Sequence, residues 1–377
     1  MEESHALETR RAERFLFGHG SNLAYPVACQ AARAVIVLGM DPRGFPTSLP
    51  EFQRVFPNDA ACATYLEKLR WPDGFVCPKC GTTGEPYRFP NRASVVLRCR
   101  GCQANVSLTA GSVMQASHMP LSVWFWAAYL VTTQTPGQSA LQFQRQLGIG
   151  RYETAFQILH KLRAGMVRPD RDAIGGQYPV EVDETLVGGR TRGEGRGVHH
   201  KATVVGAVEV RRRKGKDRAA EGHRDQTDGK SLKRAVYAGR LRLRLVPGRG
   251  EEDLCAFVKE NVAKGAVVRT DGWQGYADLA KLGYDHDAAV LDGDPEGIDA
   301  HLPMIHLVFS NLKTWLSGTH HGVSQQHLQA YLNEYVFRFN RRFYPMTAFN
   351  SVLGLVVRAV PPTYEELYSG KWIHPAA

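Results

Sequence analysis

The pattern that most narrows what this chain can fold into is a pair of cysteine knuckles. Cys77-Pro-Lys-Cys80 is followed, after eighteen residues, by Cys99-Arg-Gly-Cys102. Two Cys-x-x-Cys knuckles at that separation close a tetrahedral four-thiolate zinc site, so the chain between them must double back on itself. The intervening residues suit a ribbon. Gly81 turns the first knuckle, and Ala93-Ser-Val-Val-Leu-Arg98 reads as a strand feeding the second. Disulfide pairing is the competing reading, but Cys29, Cys62 and Cys255 are scattered and nothing points to export. The spacing therefore predicts structural Zn2+ in a ribbon over residues 71–110. It leaves open whether the ribbon binds DNA, binds protein or only holds a small domain together.

A second constraint comes from two short strands that each carry an aspartate. In Tyr178-Pro-Val-Glu-Val-Asp-Glu-Thr-Leu-Val-Gly-Gly189, apolar and polar residues alternate with the period of a strand until the double glycine stops it. Gly265-Ala-Val-Val-Arg-Thr-Asp271-Gly-Trp-Gln-Gly-Tyr276 has the same form. An aspartate at a strand end often only caps a turn. Two of them, Asp183 and Asp271, far apart in sequence, suggest one shared carboxylate site. Glu181 shares the face of Asp183 by strand alternation and is the better helper, whereas Glu184 points the other way.

With 377 residues the chain can form two or three domains with their own cores. Its 47 Lys and Arg against 37 Asp and Glu give a net charge of +10. The excess is clustered, which argues for a polyanionic partner, nucleic acid ahead of membrane. No run reaches the roughly 20 apolar residues a membrane helix needs. The mildly apolar Pro26 to Met40 is interrupted by Arg33 and preceded by acidic residues, which argues against a signal peptide.

Along the chain, residues 1–39 show no sustained periodicity and read as an extension, with Met40 as an alternative start. Residues 40–70 are a helical lead-in, with Asn58-Asp59 starting the helix before Ala60 to Arg70. Residues 115–168 are helical. Pro120 opens an aromatic helix containing Trp124, Phe125, Trp126 and Tyr129, and Pro136-Gly137 ends it. Ser139 to Leu147, the turn Gly148-Ile-Gly150, and a helix from Tyr152 ending in His160, Lys161 and Arg163 resemble a helix-turn-helix.

The first aspartate strand is followed by a glycine-rich loop with Arg190, Arg192, Arg196 and Lys201. Strands at Ala202–Val210 and Ala235–Val246 flank a charged run that is too polar to pack. A helix from Glu251 to Val262, the second aspartate strand and a helix from Gly275 to Leu282 follow. Three strands, helix, strand, helix is the succession of a ribonuclease-H-like α/β core. It occupies residues 176–357, with 358–377 as a tail. Basic loops beside the carboxylates would neutralise nucleic-acid phosphates.

The third residue of such a site belongs on a following helix, yet no Asp or Glu occurs between Asp299 and Glu334. His306 and Lys313 are seven residues apart, so on a helix they stack within about 20° of each other, while Asn311 is about 140° from His306. One helix face can therefore offer a metal ligand and a phosphate-binding lysine. A helix histidine is more commonly a plain surface or hydrogen-bonding residue.

Four stretches together resemble the zinc-ribbon group of DDE-superfamily insertion-sequence transposases, the insertion-sequence fifteen-ninety-five (ISXO-two-like) family. They are Trp71-Pro-Asp-Gly-Phe-Val-Cys-Pro-Lys-Cys80, Val182-Asp-Glu-Thr-Leu-Val-Gly-Gly189, Thr270-Asp-Gly-Trp-Gln-Gly-Tyr276, and Asn311 to Ser324 continued in Tyr335-Val-Phe-Arg-Phe-Asn-Arg-Arg342. The resemblance covers about Met40 to Val357. It implies a ribonuclease-H-like catalytic domain in a bacterial, cytoplasmic, nucleoid-associated protein. The implied chemistry is Mg2+- or Mn2+-dependent cleavage and strand transfer of double-stranded DNA, element ends and target, by a homodimer or larger assembly. Asp183 and Asp271 match the first two catalytic acids. The family's glutamate is absent: His306 falls in its slot and Lys313 matches the lysine seven residues on, with Asn311 as the lesser third candidate. Arg341 and Arg342 join the loop cations as expected DNA contacts. An impaired DNA-binding relative, or a nuclease without strand transfer, would share these features.

Overall fold

The computed structural model describes residues 46–89, 96–168, 171–188, 201–212, 236–289 and 301–369. The extension over 1–39, loop residues Arg190, Arg192 and Arg196, most of the charged run after Arg212 and the end of the tail lie outside them.

The lead-in forms two helices, α1 (Leu49–Val55) and α2 (Asp59–Arg70). Pro57 separates them, because its ring disfavours helical backbone at the preceding Phe56. Asn58 starts α2 as the sequence predicts, its Oδ1 accepting from the Ala61 amide at 3.0 Å. After the ribbon comes the aromatic helix α3 (Leu121–Thr133), then α4 (Ala140–Gln146) and α5 (Tyr152–Gly165). The turn between α4 and α5 needs Gly148, which sits at φ +60°.

Trp124, Phe125 and Tyr129 are buried among Phe52, Phe56, Tyr65 and Phe349, with ring centroids 4.8 Å apart for Phe56–Phe125 and 4.4 Å for Phe52–Tyr129. The aromatic helix is therefore core. A helix from the other end of the chain, α9 (Pro345–Val356), completes the same core through Phe349, Val352, Leu353 and Val356. Val113 also donates a backbone hydrogen bond to Val356 at 3.1 Å. The sequence reading grouped 345–357 with the sheet, but its apolar face packs on the N-terminal helices.

The ribbon is an antiparallel sheet of β1 (Tyr87–Arg88), β2 (Val96–Arg98) and β3 (Asn105–Ser107) over a small core of Phe75, Cys77, Leu97, Cys99 and Val106. The main sheet has five strands among the described residues: β4 (Val180–Val187), β5 (Ala202–Arg212), β6 (Val236–Val246), β7 (Val267–Asp271) and β8 (Asp285–Ala289). Their order is β6-β5-β4-β7-β8. The first three form an antiparallel meander, and β7 and β8 run parallel to β4.

Helix α6 (Glu251–Asn261) covers one face. The long α7 (Pro303–His320) and α8 (Gln325–Asn340) cover the other, where Leu241 and Leu243 of β6 meet Ile305, Val308, Phe309 and Leu332. Three details differ from the sequence reading. Asp183 lies mid-strand, because Thr185 to Val187 carry the pairing on to the double glycine. The expected helix at Gly275–Leu282 is a short 3-10 turn over Gln274–Leu279. Strand β8 was not foreseen, since Asp-His-Asp-Ala-Ala has no apolar alternation and pairs only as an edge.

Candidate metal centre and acidic site

The ribbon brings its four thiols together. The Sγ atoms of Cys77, Cys80, Cys99 and Cys102 all lie within 4.8 Å of one another, with Cys77–Cys102 at 3.7 Å and Cys80–Cys99 at 3.6 Å. A Zn–S bond of about 2.3 Å in a tetrahedron demands sulfur separations of about 3.8 Å, so the donor set fits zinc. Cys80 and Cys99 are shifted towards thiolate, and Cys102 away from it. The Thr82 hydroxyl beside Cys80, at 3.2 Å, is the main cause that lowers this thiol's pKa to about 6. None of the described cysteines forms a disulfide.

The second site lies where β4, β7 and α7 meet. β4 and β7 pair in parallel with Val180 opposite Val268 and Glu181 opposite Arg269. Carried two residues beyond the last pair, that register sets Asp183 level with Asp271, and the charge of Asp183 acts on Asp271. Helix α7 crosses the same face. His306 Nε2 stands 3.2 Å from Asp183 Oδ2. Asp183 Oδ1 accepts from the Glu184 amide at 2.8 Å and Asp271 Oδ1 from the Trp273 amide at 3.2 Å, which fixes both carboxyl groups. Burial raises the pKa of Asp271, and the neighbouring Asp183 charge raises it further.

Lys313 lies one face-repeat along α7. Burial and then the charge of exposed Lys201 lower its pKa, while Asp183 pulls it back up. Asn311 is exposed and lies about 140° round the helix from His306, with exposed Leu307 and Ser310 between them. Of the two third-residue candidates, the fold brings His306 alone to the aspartates.

The opposition of Glu181 and Glu184 is as the strand period requires. Glu184 points to the α6 side, where Arg249 Nε donates to it at 2.7 Å and the Tyr276 hydroxyl at 2.7 Å. Glu181 is fully buried on the Asp183 face, but its Oε2 is taken by the amides of Met304 and Ile305 at 2.7 and 2.8 Å. That oxygen anchors α7, and Oε1 is buried without a hydrogen-bond partner among the described residues.

Sequence reasoning missed Arg249 and Gly206. Arg249 stacks on exposed Trp273 at 4.6 Å and its charge acts on Asp271. Its signal was a lone arginine between glycines at the end of β6. Gly206 pairs directly with Asp183, and a Cβ there would come within 2.9 Å of Ile305 and Phe309. Its missing side chain lets α7 approach β5.

Several expected DNA contacts are engaged in the fold. Arg341 stacks on Phe337 at 3.9 Å and donates to its carbonyl. Arg342 stacks on Phe339 at 3.9 Å and bonds the carbonyls of Phe339 and Ala238, tying α8 to β6. At the end of α5, Arg163 is buried in an ion pair with Glu334 at 2.7 Å. His160 is buried against Phe156, and Lys161 donates to the Gln115 carbonyl. His160 and Arg163 at this basic end are thus turned into the protein, while Lys161 stays at its edge.

Among the described residues, only the four cysteines form a group of three or more metal-type ligands at such close mutual spacing. Asp183, Asp271 and His306 spread wider. Their two carboxylates and one imidazole still suit an oxygen-preferring divalent ion, with the imidazole tilting the choice towards Mn2+.

A thiolate knot ahead of an α/β sheet that presents paired aspartates defines the class as a zinc-ribbon protein with an acidic centre. Residues 57–105 match the transposase zinc-ribbon domain, and residues 174–340 match the ISXO2-like transposase domain. Both matched domains are transposase domains. It is 26% identical over 308 residues to an uncharacterized protein in transposable element ISH50 of Halobacterium salinarum, covering 76% of this chain and 92% of that one. No solved structure matches the chain significantly. None of the helices, among the described residues, is long and apolar enough to cross a membrane.

Proposed function

We propose that the chain is a DNA transposase that cuts insertion-element ends and joins them to target DNA, with Asp183, Asp271 and His306 as the reacting centre. The observation that carries this reading is the juxtaposition of His306 with Asp183 at 3.2 Å, beside Asp271, on which the charge of Asp183 acts. An antiparallel meander followed by two parallel strands supports a ribonuclease-H-like core, from about 174 to 340. The ribbon and the helical unit precede it, and α9 returns to the helical unit. The α4–α5 pair keeps the outline of a helix-turn-helix, but with His160 and Arg163 buried, DNA contact through their face is not part of the proposal.

Asp183 and Asp271, with His306, would hold Mg2+ or Mn2+. When bound, such ions activate the attacking hydroxyl and offset charge on the scissile phosphate. The chain's own groups do the rest. The strand pairing and the Glu184 and Trp273 amides keep the carboxylates aimed without reorganisation. Lys313 and Lys201 present positive charge to a DNA phosphate beside them, and Arg249 adds charge at the Asp271 end. In cutting, water would add to phosphorus and the bond to the 3′ oxygen would break. In joining, the freed 3′-hydroxyl would attack a target phosphodiester in the same way.

The absence of an acid on α7 favours one rival, a relative that binds DNA without cutting it. The test is incubation of the purified chain with element-end DNA and Mg2+ or Mn2+, separating nicked from joined products. Nicks and joints are expected. Binding without nicks would make the chain an impaired relative, and nicks without joints would make it a nuclease.

A further inference from the structure

We infer that Glu181 is a positioning residue of the acidic site: a buried carboxylate on β4 that holds the start of α7 so that His306 stands at Asp183. The inference rests on the transposase reading of that centre. A helix leaves its first amides without internal partners, and a side chain at the N-cap commonly accepts from them. Here the N-cap is Leu302, which has no acceptor, and the first helical residue, Pro303, has no N–H. The amides of Met304 and Ile305 are therefore left buried and in need of an acceptor. It comes from 123 residues away, as Glu181 Oε2 at 2.7 and 2.8 Å.

Several features make this more than a local cap. Glu181 is 0% exposed, so no water can replace it. The accepting oxygen also faces the positive end of the helix dipole. Most of all, Glu181 and Asp183 are two residues apart on one strand and share a face, while Ile305 and His306 are adjacent on the helix. One rigid strand thus carries both the acid and the anchor for its partner. A slip of α7 along β4 would break both amide bonds and carry His306 away from Asp183. Oε2 is used twice by the helix, while Oε1 is buried without a hydrogen-bond partner among the described residues.

The test compares Glu181→Ala, Glu181→Gln, Glu181→Asp and a stability control, Val258→Ala, in the α6 core on the opposite sheet face. Four quantities are read: amide exchange over residues 302–308, single-turnover cutting of element-end DNA, end-binding affinity and melting temperature. In Glu181→Ala, exchange at Met304 and Ile305 should quicken and cutting should fall on the order of 10- to 100-fold, as small misplacements of reacting groups do. End affinity should stay within about twofold, because phosphate contacts elsewhere set it. Glu181→Gln should recover most of both, since its carbonyl can accept from the same amides. Should the alanine variant not fold, Glu181→Asp decides. Its shorter side chain keeps the carboxyl group but should lose protection and rate together. An alanine or aspartate variant that cuts at the wild-type rate overturns the inference. So does a Val258→Ala variant with a matched melting loss and the same drop in cutting. A wild-type chain that cuts no element-end DNA overturns the reading of the reaction itself. Unprotected Met304 and Ile305 amides in a wild type that does cut overturn the anchor alone.

Discussion

At Asp183 and Asp271 the proposed chemistry and the binding surface separate. Asp183→Asn or Asp271→Asn should reduce cutting by more than about 100-fold, because each removes a carboxylate proposed to hold the divalent ion. End binding, measured by gel shift, should persist. His306→Ala should cut poorly, and His306→Glu should keep or improve Mg2+-dependent activity by restoring an oxygen ligand. Asn311→Ala should cut normally. A dead Asn311→Ala beside a fully active His306→Ala would reverse the assignment. A second residue-scale case concerns stability. Burial alone would raise the pKa of Glu209, but Arg240 and Arg211, at 2.7 and 2.6 Å, pull it down to about 2 from an ordinary 4.5. A depressed carboxylate pKa contributes stability above the unfolded value, and that contribution is lost as pH falls from about 4.5 to about 2. Glu209→Gln should therefore lose about 2 kcal/mol at neutral pH and flatten the acid limb in that window, checked by urea melts from pH 7 to 2.

Helix α7 depends on what β5 lacks as much as on what β4 supplies. Gly206 faces Ile305, Phe309 and Leu243 at distances that leave no room for a Cβ. Gly206→Val should cost about 1–3 kcal/mol by overpacking. It should also lift α7 from the sheet, so cutting should fall further than the melting shift explains. An unchanged rate in single-turnover assays would show that α7 tolerates the displacement. Element boundaries followed local chemistry where a breaker or cap was present, as at Pro57, Asn58 and Gly148. They were illegible for β8, whose residues have no strand pattern and form one only because β7 offers an edge.

Across the whole molecule the cores are separate. The ribbon's small core shares no residue with the two cores that flank the main sheet. So small a core cannot hold without its metal. A Cys77→Ser, Cys102→Ser double variant, or chelation, should remove zinc and unfold the ribbon, while the sheet keeps its own melting transition. Atomic absorption and calorimetry check this, and unchanged zinc stoichiometry would refute it. The helical unit and the sheet are tied more firmly. α9 returns to the helices, and the buried Arg163–Glu334 pair links α5 to α8.

The residue order alone carried the zinc knuckles, the two aspartate strands, the helix starts and the lack of an acid on α7. These are local patterns, set by spacing of a few residues and by the intrinsic geometry of strand, helix and turn. Spacing could also put His306 and Lys313 on one helix face, but it could not say that this face meets Asp183, which depends on register between β4 and β7 and on the bare backbone of Gly206. Nor could it show that Arg163 is buried against Glu334, or that Arg341 and Arg342 stack on aromatic rings at the end of α8. A cation's partner is chosen by which surfaces close over it, and packing between elements far apart in the chain makes that choice.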